Sequence, residues 1–374
     1  MDYAHSVFDA WLAGGEIPYD WLIPLLHQYG DSREVFDRFV IRKAPMEDMI
    51  PAKCRKKLTE LSADGPMQTC ETLMEKHGIS SMTILDEDYP ACLRELSDPP
   101  GILFYTGDLS CLLRRKRVSM VGSRTASYLG LRAARTIARD LSKNGVVIVS
   151  GLACGIDAEC HRGCLEGGSP TIAVLGCGLD QDYPQENEPL KKDILSRNGL
   201  LLSEYAPGIK PLGHHFPYRN RIISGLSEIL ILMEAKLRSG SMTTVTHALK
   251  QGKEVYAYPG DPVSPMSEAN RTLLREGAGY FTTAKDILED MNWLDNQPLV
   301  GQNIGCSAPE EPADSTEAAV YNALLKGNLG FDELLQTTKL IPSELLSTLT
   351  VMQIKNKIEA LPGKRYALRQ SSSC

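Results

Sequence analysis

The sequence predicts an α/β protein built on a doubly wound, mostly parallel sheet, with a helical module before the sheet and a three-helix-and-hairpin module after it. Three observations predict this. Apolar runs of four to seven residues alternate with amphipathic stretches between Val118 and Tyr258. The residues that follow those runs are glycines, hydroxyls and charged groups, as expected of loops at strand ends. The chain of 374 residues is long for one domain, and helix-period patterns replace the strand pattern on both sides of the centre.

Residues 1–80 read as a helical module. Apolar positions at Trp21, Leu22, Leu25 and Leu26, then Val35, Phe36 and Phe39, recur at helical spacing, and Gly14-Gly15, Gly30-Asp31 and Ala44-Pro45 interrupt them. The pattern is SAM- or helix-hairpin-helix-like, and nothing in it carries obvious chemistry. Ile84–Asp108, rich in Pro and acidic residues, reads as a connection.

Residues 81–294 form the predicted sheet domain. Its strands are Val118–Val121, Val146–Val149, Thr171–Leu175, Leu200–Glu204, Ile229–Met233 and Glu254–Tyr258; its clearest helices are Leu129–Lys143, Asp157–Glu166, Glu188–Asn198 and Thr243–Gln251. Continuous apolar strands joined by helices mean a parallel sheet covered on both faces. This Rossmann-like arrangement binds ligands outside the carboxyl ends of its strands. Residues 295–315 are a Pro-rich acidic linker. Across 316–370, Glu317–Leu325, Phe331–Thr338 and Pro342–Met352 give three helices, the third capped by Ser343. Lys357–Leu368 gives a hairpin turning at Pro362-Gly363, which completes a winged-helix pattern.

Composition narrows the function. No apolar run approaches the ~18 residues that span a bilayer, and the N-terminus lacks the basic start and apolar core of a signal peptide, so a cytoplasmic location is expected. Ten cysteines include no Cys-x-x-Cys pair; even Cys160-His161-Arg162-Gly163-Cys164 reads as reduced thiols on a helix rather than a metal site. The net charge of −7 argues against a generic polyanion binder. Yet between Leu112 and Gly145 stand nine basic residues (114, 115, 116, 117, 124, 132, 135, 139 and 143) and one acid, Asp140. That is either a local basic surface or a solvated helix face.

Five strand ends carry candidate chemistry: Val121-Gly122-Ser123-Arg124-Thr125; Ser150-Gly151 through Gly155-Ile156-Asp157; Leu175-Gly176-Cys177-Gly178; Ser203-Glu204; and Glu234 followed by Ser239-Gly240-Ser241. Glycines admit a ligand close to the backbone, and helix N-termini after such loops offer N–H groups to an anion. One such loop is ordinary turn chemistry. Several on one sheet edge converge on a phosphate site. The first loop is not Gly-x-Gly-x-x-Gly and no acid stands at the dinucleotide offset, so no nicotinamide, flavin or other cofactor is expected. The sharpest element is His214-His215-Phe216-Pro217-Tyr218-Arg219-Asn220-Arg221, where arginines suit phosphates and the aromatic rings suit bases. The competing reading is that Arg219 or Arg221 pairs with Glu204 or Glu234. Those two acids are read as hydrogen-bonding loop N–H groups rather than as catalysts, Asp157 as a helix cap, and the histidines as neither metal ligands nor acid–base groups.

Gly122-Ser123-Arg124, Ser150-Gly151-x-Ala153-x-Gly155-Ile156-Asp157, Phe216-Pro217-x-Arg219-Asn220-Arg221, Ser239-Gly240-Ser241 and Pro259-Gly260 follow one another as in the DNA-processing protein A (DprA, also called Smf) family, which residues 85–290 resemble. The resemblance implies a cytoplasmic, non-enzymatic dimer that binds single-stranded DNA, protects it and loads the RecA recombinase on it during natural transformation. It implies a phosphate pocket of Gly122, Ser123, Arg124, Phe216, Arg219, Asn220 and Arg221. One departure is Gly213, three residues before Phe216, where some members carry lysine; that contact is absent or supplied by Lys210.

A second reading is an enzyme similar to the nucleotide phosphoribohydrolases of the lysine-decarboxylase-like family. Its Pro-Gly-Gly-x-Gly-Thr loop is missing here, where Ser239-Gly240-Ser241-Met242-Thr243-Thr244 stands instead. Duplex binding through the winged helix is a third, with only Lys355 and Lys357 near its third helix.

Overall fold

The N-terminal helices are α1 (Tyr3–Gly14), α2 (Tyr19–Tyr29), α3 (Ser32–Phe36), α4 (Ala52–Leu61) and α5 (Asp64–His77). Their apolar stripes close on Trp11, Leu12, Leu25, Leu26 and Leu58, and the indole N–H of Trp11 donates to the Leu58 carbonyl at 3.0 Å. This cluster runs without a break into the core under the sheet, so the helical module and the sheet domain are one body. The computed structural model describes residues 3–294, 315–324, 329–354, 358–361 and 365–368.

The Ile84–Asp108 stretch is more than a connection. It leads from β1 (Ser80–Thr83) through α6 (Ala91–Arg94) to β2 (Ile102–Gly107), and β1 pairs antiparallel with β2. β2 pairs antiparallel with β6 and extends the sheet on that side. Prolines and acids cluster in the turns between β1 and β2, which hides two short strands from a composition-based reading.

The predicted runs become β3 (Arg117–Val121), β4 (Val147–Ser150), β5 (Thr171–Leu175), β6 (Leu200–Ser203), β7 (Ile229–Leu232) and β8 (Glu254–Ala257), followed by β9 (Gly279–Tyr280). The nine strands lie in the order β1-β2-β6-β5-β4-β3-β7-β8-β9, parallel from β6 to β9. The helices are α7 (Tyr128–Ser142), α8 (Ile156–Gly167), α9 (Glu188–Ser196), α10 (His215–Gly225), α11 (Gly240–Lys250), α12 (Glu268–Arg275) and α13 (Ala284–Asp290). Cores lie on both faces of the sheet. Helix α7 buries Ala134, Ile137, Ala138 and Leu141, and approaches α8 so closely that a Cβ on Gly163 would overlap the Arg135 carbonyl.

The described residues from Ser315 onward belong to a second compact unit. It holds α14 (Ser315–Leu324), β10 (Leu329–Gly330), α15 (Phe331–Thr338), α16 (Pro342–Ile354), β11 (Ile358–Leu361) and β12 (Arg365–Leu368), with the strands ordered β10-β12-β11. Val320, Leu334, Leu345, Leu349, Met352 and Ile358 make its core. Three helices and a small antiparallel sheet are a winged helix. Helix α16 starts at Pro342, so Ser343 lies within it rather than capping it. Residues 295–314 of the expected linker, Lys355 and Lys357, and the hairpin turn at Pro362-Gly363 lie outside the described residues.

Candidate nucleic-acid interface

The sheet winds outward from β3 in two directions, through β4, β5 and β6 on one side and β7, β8 and β9 on the other. A crevice must open where the two windings part, outside the carboxyl ends of β3 and β7. A cleft of about 510 Å³ lies there, lined by Gly122, Ser123 and Arg124 after β3 and by Ser239, Gly240 and Ser241 after β7. Phe216, Arg219 and Asn220 of α10 form its third wall.

Glycines let these loops interlock. Gly155 has φ +82°, which a side chain would strain, and a Cβ there would run into the Ser123 and Arg124 carbonyls. A Cβ on Gly151 would come within 2.7 Å of the Arg219 guanidinium, and one on Gly176 within 2.8 Å of the Phe216 ring. The Glu234 carboxylate accepts from the Ser127 N–H at 2.8 Å and from its hydroxyl at 2.5 Å, tying the loop after β7 to the loop after β3. Asn220 donates to the Gly240 carbonyl at 3.2 Å and to the Thr243 hydroxyl at 2.7 Å. No side chain caps α11, so its first N–H groups face the cleft mouth, where its dipole favours an anion.

The cations are of two kinds. Arg219 is buried and donates to the Gly151 and Val174 carbonyls, so it braces the floor. Arg124 is exposed and, among the described residues, makes no ion pair; its guanidinium lies 5.3 Å from the centre of the Phe216 ring. Tyr183 packs on the same ring at 5.4 Å. Lys236 and Arg238 stand exposed in the loop between Glu234 and Ser239, likewise without an ion pair among the described residues. That loop is anchored at one end, where the buried Asn270 side chain accepts from the Ala235 N–H and donates to the Leu232, Met233 and Tyr258 carbonyls. At its other end Asn220 holds Gly240.

Of the residues the sequence singled out, nine line the cleft, and Gly151, Gly155 and Arg221 do not. Arg221 does not reach the cleft. Its side chain is fully buried and turned to the opposite side of α10, where it pairs with Glu204 at 2.6 Å and Asp98 at 3.1 Å and stacks on Tyr218 at 3.9 Å. Positions two apart on a helix point in divergent directions, so Arg219 and Arg221 cannot share a face. Glu204 therefore serves Arg221 and not a loop N–H, while Glu234 does bind one. Gly151 and Gly155 shape the loops without lining the main cleft; Gly151 lines a smaller adjoining cavity beside Cys154 and Phe216.

Asp157 is not the cap of α8. Gly155 holds that position, and the buried Asp157 carboxylate accepts from the Gly151 N–H at 3.2 Å. Burial pushes it up to about 6, opposed by the Arg219 charge and the Ala153 and Gly151 N–H groups. Burial also lowers Arg219 to about 10, against the pull of Asp157. The basic run divides as well: Arg135 pairs with Glu159 and Glu166, and Arg139 and Lys143 pair with Asp140, which leaves Arg124 as its member in the cleft. Gly213 lines the cleft and Lys210 is exposed nearby in sequence. Sequence reasoning missed Tyr183, Lys236 and Arg238. The two cations lie inside a loop already marked by Glu234 and Ser239, whereas Tyr183 had no local signal. Among the described residues no cluster of His, Cys, Asp and Glu is arranged to hold a metal ion, and His161 is buried and bonded to the Thr171 hydroxyl at 2.8 Å.

The profile described as DNA recombination-mediator protein A matches residues 80–292, more than half of the chain. The chain belongs to that family. A second profile, the DprA winged helix domain, matches residues 307–364. The DNA processing protein DprA of Streptococcus pneumoniae is 44% identical over 213 residues, 57% of this chain and 74% of the relative. Protein Smf of Escherichia coli is 36% identical over 294 residues, 76% of each chain. Of solved structures, S. pneumoniae DprA superposes with a TM-score of 0.62 at 34% identity, covering 78% of this chain and 98% of that one. DNA processing protein A of Helicobacter pylori, known for its single-stranded DNA binding mode, gives 0.52 at 31% identity, covering 57% and 95%.

Proposed function

We propose that the cleft between β3 and β7 binds the backbone of single-stranded DNA without catalysing a reaction on it. The observation that carries this reading is Arg124. An exposed guanidinium with no carboxylate partner among the described residues stands over an aromatic ring, beside glycine loops and a helix N-terminus open to an anion. Phe216 and Tyr183 offer rings on which a splayed base stacks, a geometry that a duplex does not present. The single-stranded DNA binding described for the H. pylori relative supports the same reading. Against the nucleotide-hydrolase alternative, Glu204 is held by Arg221 and Glu234 by Ser127, so neither strand-end acid is free to act on a ligand.

In the cell, this binding serves DNA processing. The protein protects incoming single strands and loads RecA on them during natural transformation, acting as a homodimer through its Rossmann-like domain in the cytoplasm. The family's description as a recombination mediator supports this role, and no described helix is long and apolar enough to cross a membrane. The deciding experiment is a salt titration of binding to single-stranded and duplex DNA of matched length. The expected result is tighter single-strand binding with a moderate salt slope, because few phosphates are neutralised at one narrow cleft. Equal affinities at equal salt would overturn the reading.

A further inference from the structure

A second cavity, of about 240 Å³, lies on the other side of the start of α10, between the N-terminal helical module and the sheet. Its walls are aromatic. Tyr19 comes from the module, Tyr205 from the loop after β6, and His214, His215 and Tyr218 from the start of α10. Tyr205 and His215 are already stacked, 4.0 Å apart and 20° from parallel, and His214 meets His215 edge-on at 4.6 Å. Burial holds His215 below its usual range, so its ring is neutral and behaves as an aromatic surface. Its Nδ1 is buried and, among the described residues, has no hydrogen-bond partner, although the side chain lines a cavity.

The charges here differ from those of the cleft. Glu16 and Glu204 border the cavity, each already paired, with Lys57 at 2.6 Å and with Arg221 at 2.6 Å, and among the described residues no lysine or arginine lines it. A phosphate finds no cation in this wall to receive it, while a flat, uncharged ring is suited to the tyrosines and histidines. The size fits one ring system rather than a whole nucleotide with its sugar and phosphate. The two cavities also adjoin: Gly213 lines the cleft and its chain neighbour His214 lines the aromatic cavity. Consecutive Cα atoms stand about 3.8 Å apart, within the span of a single nucleotide.

Resting on the proposed reading of the cleft, we infer that this cavity is a nucleobase subsite: a strand held by its phosphates at Arg124 places a neighbouring base across the start of α10, against Tyr19, Tyr205 and Tyr218. The N-terminal module thereby contributes a wall to the DNA site rather than serving only as a cover on the sheet. Stacking of this kind tolerates any base, because every base has a π face.

The test uses the full-length protein and an oligothymidylate carrying 5-iodouracil, irradiated and mapped by mass spectrometry. The expected cross-links fall on Tyr19, whose peptide is remote in sequence from α10, and on His214 or Tyr218, in addition to Phe216 or Tyr183. Tyr19→Ala should lower single-strand affinity about five- to twentyfold with an unchanged melting midpoint. Tyr19→Phe, which keeps the ring, should bind like the parent. Cross-links confined to Phe216 and Tyr183, with Tyr19→Ala binding normally, would refute the base subsite and leave the cleft reading intact. No binding and no cross-link at any residue would refute both.

Discussion

The two faces of α10 use the same residue type for different ends. On the cleft face, Arg219 and Asn220 hold loop carbonyls, and Phe216 carries the Arg124 guanidinium above its ring. On the opposite face, Arg221 is buried between Glu204, Asp98 and Tyr218. A charge left without a partner points toward a ligand, and a charge fully matched inside the protein maintains the fold. Both arginines of the Arg-Asn-Arg motif therefore serve the fold, Arg219 under the cleft floor and Arg221 on the far face, and the exposed cation of the cleft is Arg124 from another loop.

The largest effect that would sharpen this contrast is on stability. Arg221→Ala leaves Glu204 and Asp98 facing a void, and should cost about 3 kcal/mol, read from the midpoint of a urea unfolding curve. The affinity of the folded fraction for single strands should change less than threefold. A stable Arg221→Ala protein that no longer binds DNA would erase the distinction between the faces. Arg124→Ala should show the reverse: a ten- to hundredfold loss of affinity, roughly 1.5–3 kcal/mol, with melting unchanged. Because the two arginines sit in separate environments, the effects of the double variant should add.

Sequence reached the cleft but not this division of labour. Gly122, Ser123, Arg124, Ser239 and Gly240 were legible because a strand-end loop carries its chemistry in consecutive residues. Arg221 was legible only through the competing reading, its pairing with Glu204, since its partners stand 17 and 123 residues away and only the folded chain decides which side of α10 they flank. The strand Ile102–Gly107 escaped for a related reason: its place is set by pairing with Leu200–Ser203, a contact no local pattern announces. Tyr183 likewise reaches Phe216 only through the path of the loop after β5.

A smaller effect concerns Asp157, which belongs to the cleft wall and not to either arginine alone. Its folded-state value near 6 exceeds the unfolded value, so between about pH 4 and 6 the folded protein keeps a proton that the unfolded chain releases. Unfolding free energy should thus fall as pH rises through that window, by about 2 kcal/mol in total. In Asp157→Asn the slope over the same window should flatten, as followed by denaturation at several pH values; an unaltered slope would assign the titration elsewhere. The smallest effect is expected from removing the second unit. A protein ending at Gly301 should bind single strands within threefold of the full chain, measured by fluorescence anisotropy. A larger loss would mean that the winged helix takes part in binding.

The short arm between Ala235 and Gly240 has a consequence for how the strand is read. Both its ends are fastened, by Asn270 and by Asn220, while Lys236 and Arg238 between them extend into solvent. Two long-stemmed cations on so short a tether act as a permanent, local counterion atmosphere for whatever backbone enters. On the proposed reading they follow the phosphates without demanding one register, so that a strand slides by a nucleotide without losing its charge compensation and the cleft is indifferent to base order.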